Sequence, residues 1–160
     1  MPIDHEHGLA PTSPVPTEGS LQLRVRYCEC DPMGVAHHGS YAAWLEMGRT
    51  ELLRGAGVSY EALERAGVFL VITKLDLRYR RPIRYDDVVE VQTRVVNGSR
   101  VKIRHEYDLV LVERAGAEPK PSKDASVPHD GVCAIAATEL ACVTGEGRVQ
   151  PLPDWLVKRD

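Results

Sequence analysis

No stretch of this chain approaches the roughly 20 consecutive apolar residues that a helix needs to cross a bilayer. Nor is there an excess of positive charge. The formal net charge is -3 over 160 residues, which removes the general attraction to nucleic acid or to an anionic membrane surface. The opening MPIDHEHGLAPTSPVPTEGS is polar and proline-rich rather than basic and then apolar, unlike a secretory signal. The four cysteines lack the spacing of a disulfide framework: Cys28 and Cys30 are two apart, and Cys133 and Cys142 lie in an otherwise apolar stretch. There is no internal repeat. These absences leave a cytoplasmic protein with reduced thiols, acting on a small molecule, with no nucleic-acid partner and no membrane insertion.

What is present suits one domain, since 43% of the residues are apolar and the chain is long enough to bury a core. Residues 1–20 hold four of the eleven prolines and no apolar period, so they read as a mobile tail ahead of a domain over 21–160. Leu21, Leu23, Val25 and Tyr27 alternate with polar residues, the period of a half-buried strand. Tyr41, Trp44, Leu45, Gly48 and Leu52 fall at helical spacing, with Ser40 as a candidate N-cap and glycines near 55 and 57 as the stop. A shorter helix follows from Ser59 to Gly67.

Beyond it, 69–80, 88–96, 101–112 and 132–143 are rich in β-branched residues. Asn97-Gly98 signals a hairpin, and 115–130, with three prolines, reads as a long exposed loop. One strand, one main helix, then four strands is an α+β order: an antiparallel sheet of about five strands wrapped around one long central helix. Such a sheet leaves an edge that a second subunit can cover.

The chemistry concentrates in CECDPMGVAHHGSY, Cys28 to Tyr41. Zinc is one reading, but thiols one residue apart and adjacent imidazoles do not match the usual ligand spacings, so metal: none is the expectation. Small cysteines at a strand end serve as packing. A Cys-His nucleophile pair is a second reading, without any recognisable cysteine signature around it. In the third, Asp31 opens an Asp-Pro-x-Gly turn shortly before the helix. Free N-H groups at the helix start can there stabilise an oxyanion while the carboxylate attacks or activates water. The plain alternative is an aspartate that only caps its turn.

Tyr27-x-Glu29-x-Asp31-x-Met33-Gly34-Val35-x-x-His38-x-x-Tyr41, with Glu46-x-x-Arg49-Thr50-Glu51-x-Leu53-Arg54, resembles the hotdog-fold acyl-CoA thioesterases of the 4-hydroxybenzoyl-CoA thioesterase family. The nearest branch by this likeness is the one associated with the Tol-Pal system. The likeness continues through 69–72, Tyr79-x-x-Pro82 and 85–93. It implies a hotdog domain that hydrolyses an acyl-CoA thioester without a cofactor, as a homodimer or homotetramer with sites at the subunit interface. Asp31 matches the catalytic carboxylate, the His38 backbone N-H matches the oxyanion donor, and the His38 imidazole matches a histidine that orients water or carboxylate. Tyr41 is assigned to helix packing first and to the acyl pocket second. Ser99, Arg100 and Lys102 are the residues expected to meet the phosphates of CoA, with Arg78, Arg80, Arg81 and Arg84 a second basic cluster.

Cys30 departs from the threonine common before the catalytic carboxylate, and Ala36-His37 from an apolar-aromatic pair. The second change puts His37 in the wall beside the substrate. Two rivals keep the fold and change the function. A non-catalytic acyl-CoA or acyl-carrier-protein binder would bind without releasing product. A hotdog enoyl-CoA hydratase carries its Asp and His five apart in an Asn-Pro-x-His context, whereas Asp31 and His38 are seven apart.

Overall fold

Alternation along the strands decides which face of the sheet meets the helix. In Lys102–Glu113, Ile103, His105, Tyr107 and Leu109 are buried while Arg104 and Glu106 face outward, the two-residue period of a pleated strand. The computed structural model describes residues 10–114 and 130–157. The expectations placed on 1–9 and on the 115–129 loop fall outside the described residues.

Among the described residues five strands form one sheet: β1 (Glu18–Arg24), β2 (Phe69–Tyr79), β3 (Val88–Val96), β4 (Lys102–Glu113) and β5 (Val132–Val143). Their spatial order is β1-β3-β4-β5-β2, and every pairing is antiparallel. The long helix α1 (Ser40–Gly55) packs on the inner face, followed by the short α2 (Tyr60–Arg65). This is the α+β hotdog arrangement expected, with one central helix held by an antiparallel sheet.

Tyr41, Trp44 and Leu45 of α1 pack with Val89, Val91, Leu109 and Ala134 in one core cluster. Full burial of Leu45 or Leu109 stabilises the fold by roughly 1.5–3 kcal/mol each. Gly48 lets the helix lie close to β3, because a Cβ there would stand 2.5 Å from Thr93 Oγ1 and 3.0 Å from Val91 Cγ1. A second cluster, including Leu53, Leu63, Ile103, Leu140 and Leu156, fills the other end. Helix α1 stops at Gly57, whose φ of 83° favours glycine. Gly57 N donates to Arg54 O and Val58 N to Leu53 O, the paired bonds of a Schellman ending. Ser59 caps α2 as expected, its hydroxyl accepting from Ala62 N.

Three local expectations differ from what is observed. The first strand begins at Glu18, before Leu21, and Thr12 N already donates to Ala56 O at the end of α1. Gly39, not Ser40, occupies the N-cap of α1; Ser40 is inside the helix and its hydroxyl donates to Glu29 O at 2.8 Å. Asn97-Gly98 does lie between β3 and β4, but the connection runs from 97 to 101. It is therefore longer than the two-residue hairpin that the pair suggests.

Candidate active site

The segment after β1 is shaped by one buried carboxylate. Glu29, 8% exposed, accepts from Arg26 N at 2.8 Å and Arg26 Nη2 at 2.9 Å, and from Trp44 Nε1 at 3.0 Å. Burial pushes its carboxyl up, but the side-chain bond from Arg26, its backbone N-H and the Trp44 indole together outweigh burial. The group lies below the ordinary glutamate range. The backbone carbonyl of the same residue accepts from His37 N and from Ser40 Oγ, both at 2.8 Å. Glu29 thus ties the strand exit to the start of α1 through both side chain and backbone.

Between these anchors the chain makes a tight hairpin. Cys30 bridges Ala36, Asp31 N donates to Val35 O, and Gly34 N returns to Asp31 O, with Gly34 at a φ of 78°. Asp31 is partly buried, and its Oδ1 accepts from Met33 N at 2.9 Å, an Asx turn made by the aspartate itself. Ala36 N donates to Ile83 O and Val35 bridges Arg84, which hold the hairpin against the loop after β2.

His37 and His38 then lead into α1, with ring centroids 3.9 Å apart. Gly39 N donates to His37 Nδ1 at 3.0 Å, which fixes that nitrogen as the acceptor of the ring. Tyr79, at the end of β2, donates its hydroxyl to His38 O at 2.9 Å and meets the Tyr41 ring edge-on at 4.9 Å. Tyr41 is 3% exposed and lies 4.9 Å from Trp44, so packing is its observed role. The His38 N-H has no hydrogen-bond partner among the described residues, and it stands at the positive end of a 16-residue helix.

Asp31, His37, His38 and Tyr41 are therefore gathered at one end of the sheet. Ser99, Arg100 and Lys102 are not with them. They line a small groove of about 220 Å³ at the opposite end, beside Leu152 and Leu156. The nine residues of β3 separate the two ends by roughly 30 Å. Lys102 Nζ is also engaged by Glu139 at 2.6 Å, and that carboxyl, bonded first by Lys102 and then by Arg104, is pulled down to about 2. Arg80, Arg81 and Arg84 are exposed at the Asp31 end, with Arg80 paired to Asp130 at 3.2 Å.

The thiols divide. Cys30 packs against the core and its thiol is raised by burial, which disfavours the thiolate that a nucleophile requires. Cys28 is exposed rather than packed, contrary to the expectation of two buried thiols. Among the described residues no three His, Cys, Asp or Glu side chains form a group able to hold a metal. No described helix is long and apolar enough to cross a membrane. Two residues at the site had no assigned role in the sequence reading, Glu29 and Tyr79. Glu29 sits inside the quoted motif, but its partner Trp44 lies fifteen residues on, and nothing local signals that contact.

The chain matches the thioesterase-like superfamily over residues 25–159. It belongs to that superfamily. YneP of Bacillus subtilis, a candidate acyl-CoA thioesterase, is 31% identical over 88 residues, 55% of this chain and 64% of YneP. The acyl-CoA thioester hydrolase YbgC of Escherichia coli is 40% identical over 75 residues, 47% of this chain and 56% of YbgC. The chain thus spans less than two thirds of the length of these relatives. A crystal structure of a DHNA-CoA thioesterase from Staphylococcus aureus superposes with a TM-score of 0.67 at 28% identity, covering 84% of this chain and 79% of that one. The superfamily and the hotdog fold follow from these matches together with the sheet and helix described above.

Proposed function

We propose that the protein hydrolyses an acyl-CoA thioester to a carboxylic acid and free CoA, with Asp31 as the reacting carboxylate. The observation that carries this reading is the Glu29 carbonyl, which takes both His37 N and Ser40 Oγ and so docks the Asp31 hairpin onto the start of α1. The thioester carbonyl would point its oxygen at the His38 N-H and the helix dipole, where negative charge develops during attack. Asp31 then either takes a proton from water, whose hydroxide adds to the carbonyl, or adds directly to give an anhydride that water opens. In both routes the C-S bond breaks and CoA leaves as a thiolate, which picks up the proton. Tyr79 holds the His38 carbonyl, and through it the peptide geometry at the helix start. The His38 imidazole orients water or carboxylate, and His37 forms part of the acyl wall.

A second copy of the chain completes the site. Strand β2 is an edge with β5 as its neighbour, and its inward Ile72, Leu75 and Tyr79, with Met47 of α1, are 41–49% exposed. Antiparallel pairing of β2 with its copy would place the far end of the partner's sheet beside the Asp31 end. Ser99, Arg100 and Lys102 could then reach the phosphates of CoA only from the partner subunit, while Arg81 and Arg84 attract the anion from the same chain. Homodimer or homotetramer, cytoplasmic location and kinship with the Tol-Pal-associated branch are part of the same reading, the last resting on the Tyr27 to Tyr41 motif.

The test is turnover of a panel of aliphatic and aromatic acyl-CoAs. Hydrolysis by the wild type is the expected result. Tight acyl-CoA binding with no release of free CoA would instead favour a non-catalytic binder, with acyl-carrier protein as an alternative donor to try.

A further inference from the structure

A cavity of about 600 Å³ lies between the C-terminal half of α1 and the sheet, and its wall includes none of Asp31, His37, His38 and Tyr41. Arg49, which lines it, is nine residues beyond Ser40 and so roughly 13 Å further along the helix. Most of the wall is apolar, with Leu53, Leu70, Ile103 and Trp155 among its residues. The exceptions matter. Arg49 is 4% exposed; its Nη2 donates to Glu46 at 3.3 Å, but Glu46 is itself 66% exposed. Among the described residues, the buried Nε and Nη1 nitrogens of Arg49 have no partner at hydrogen-bond distance, and neither does Nδ1 of His105, a residue 5% exposed in the same wall.

A guanidinium does not lose its charge on burial, and this one is paired only through Nη2, with an exposed carboxylate, so its other buried nitrogens are costly in a largely apolar wall. Apart from Glu46, the groups coupled to Arg49 are neutral. The Tyr60 and Tyr107 hydroxyls both interact with its side chain, but they are neutral, burial keeping them protonated against the pull of Arg49. His105 is neutral, held so by burial and then by Arg49 itself. What fits is a single negative charge carried on an apolar body. The volume is in the range of sites that enclose a small amphiphile.

We propose that this cavity is a second ligand site, separate from the Asp31 turn, which binds a fatty acid as its carboxylate. The head group sits on Arg49 and the hydrocarbon tail lies along Leu53, Leu70, Ile103 and Trp155. The one guanidinium in a mostly apolar wall, whose other titratable members are Tyr60, His105 and the exposed Asp154, matches a monocarboxylate and not the polyanionic head of CoA.

The test is titration of the full chain with sodium laurate at pH 8, below its micellar concentration, followed by calorimetry and by the fluorescence of Trp155. Lauryl alcohol is the uncharged control. Saturable one-site binding of laurate is expected, with at least tenfold weaker binding of the alcohol. Arg49→Met should weaken laurate binding tenfold or more, Arg49→Lys less, and Asp31→Asn not at all. If Arg49→Met does not fold, Ile103→Trp carries the test, since it fills the cavity with the guanidinium left in place and should abolish binding. The proposal is overturned if wild type shows no saturable laurate binding, or if Arg49→Met and Ile103→Trp bind it as wild type does. It is equally overturned if Asp31→Asn removes the binding, which would place the ligand at the Asp31 turn. None of these readouts depends on acyl-CoA turnover, so failure here and failure of the proposed activity are distinguishable.

Discussion

The Trp44 indole N-H donates to the Glu29 carboxylate at 3.0 Å, a bond between the second turn of the central helix and the strand exit that carries Asp31. Glu29→Ala should leave the buried indole without its acceptor and Arg26 N without its own in a partly buried place, costing about 1–3 kcal/mol. Because the same residue sets the approach of the Asp31 hairpin to α1, acyl-CoA turnover should fall as well. Urea denaturation and steady-state kinetics on this variant check both. Unchanged stability would mean that the Glu29 contacts are not the tie they are taken to be.

Stability should also respond to pH through His105. Burial first, and then the nearby Arg49, lower its imidazole from 6.5 to about 4. Above 6.5 both folded and unfolded chains hold it neutral. Between 6.5 and 4 the unfolded chain takes up a proton that the folded one refuses, so stability falls with falling pH; below 4 the loss levels off. At about 1.4 kcal/mol per pH unit, the total amounts to roughly 3 kcal/mol. Urea midpoints from pH 7.5 to 4 should show this slope in wild type and a shallower one in His105→Gln.

Strand β2 predicts assembly. Leu75 is 41% exposed on an edge strand of eleven residues, between Ile72 and Tyr79 on the same inner face. Leu75→Arg should yield a folded monomer by sedimentation, with its circular dichroism unchanged and acyl-CoA turnover largely lost. A wild type that is monomeric and fully active would remove the partner subunit from the site.

Much of this architecture was legible from local patterns because local chemistry enforces it. The left-handed glycines Gly57 and Gly67 end both helices, Ser59 caps the second, and alternation places β3 and β4. Ser40 misled because its hydroxyl had a better acceptor in Glu29 O, eleven residues back, which no helix-start pattern contains. Gly98 misled similarly. It does not take the left-handed φ of a two-residue turn; the Lys102 carbonyl lies 2.3 Å from where its Cβ would be, so the glycine is used for close approach. Arg49 was visible only as part of a motif, since helical period alone does not foresee a guanidinium at 4% exposure. The Asp31 hairpin, the two histidines and Tyr41 are close in sequence and were found together. The separation of Ser99, Arg100 and Lys102 from them depends on which end of the sheet each turn occupies, and that is a property of the whole topology.

The most direct test of the central claim is single-turnover hydrolysis of an acyl-CoA substrate by wild type and Asp31→Asn, with binding of the same substrate measured in parallel. The account predicts that Asp31→Asn retains folding and substrate affinity within a fewfold but loses at least a hundredfold in rate, about 2.7 kcal/mol of transition-state stabilisation. Hydrolysis at the wild-type rate by a folded Asp31→Asn protein would contradict it.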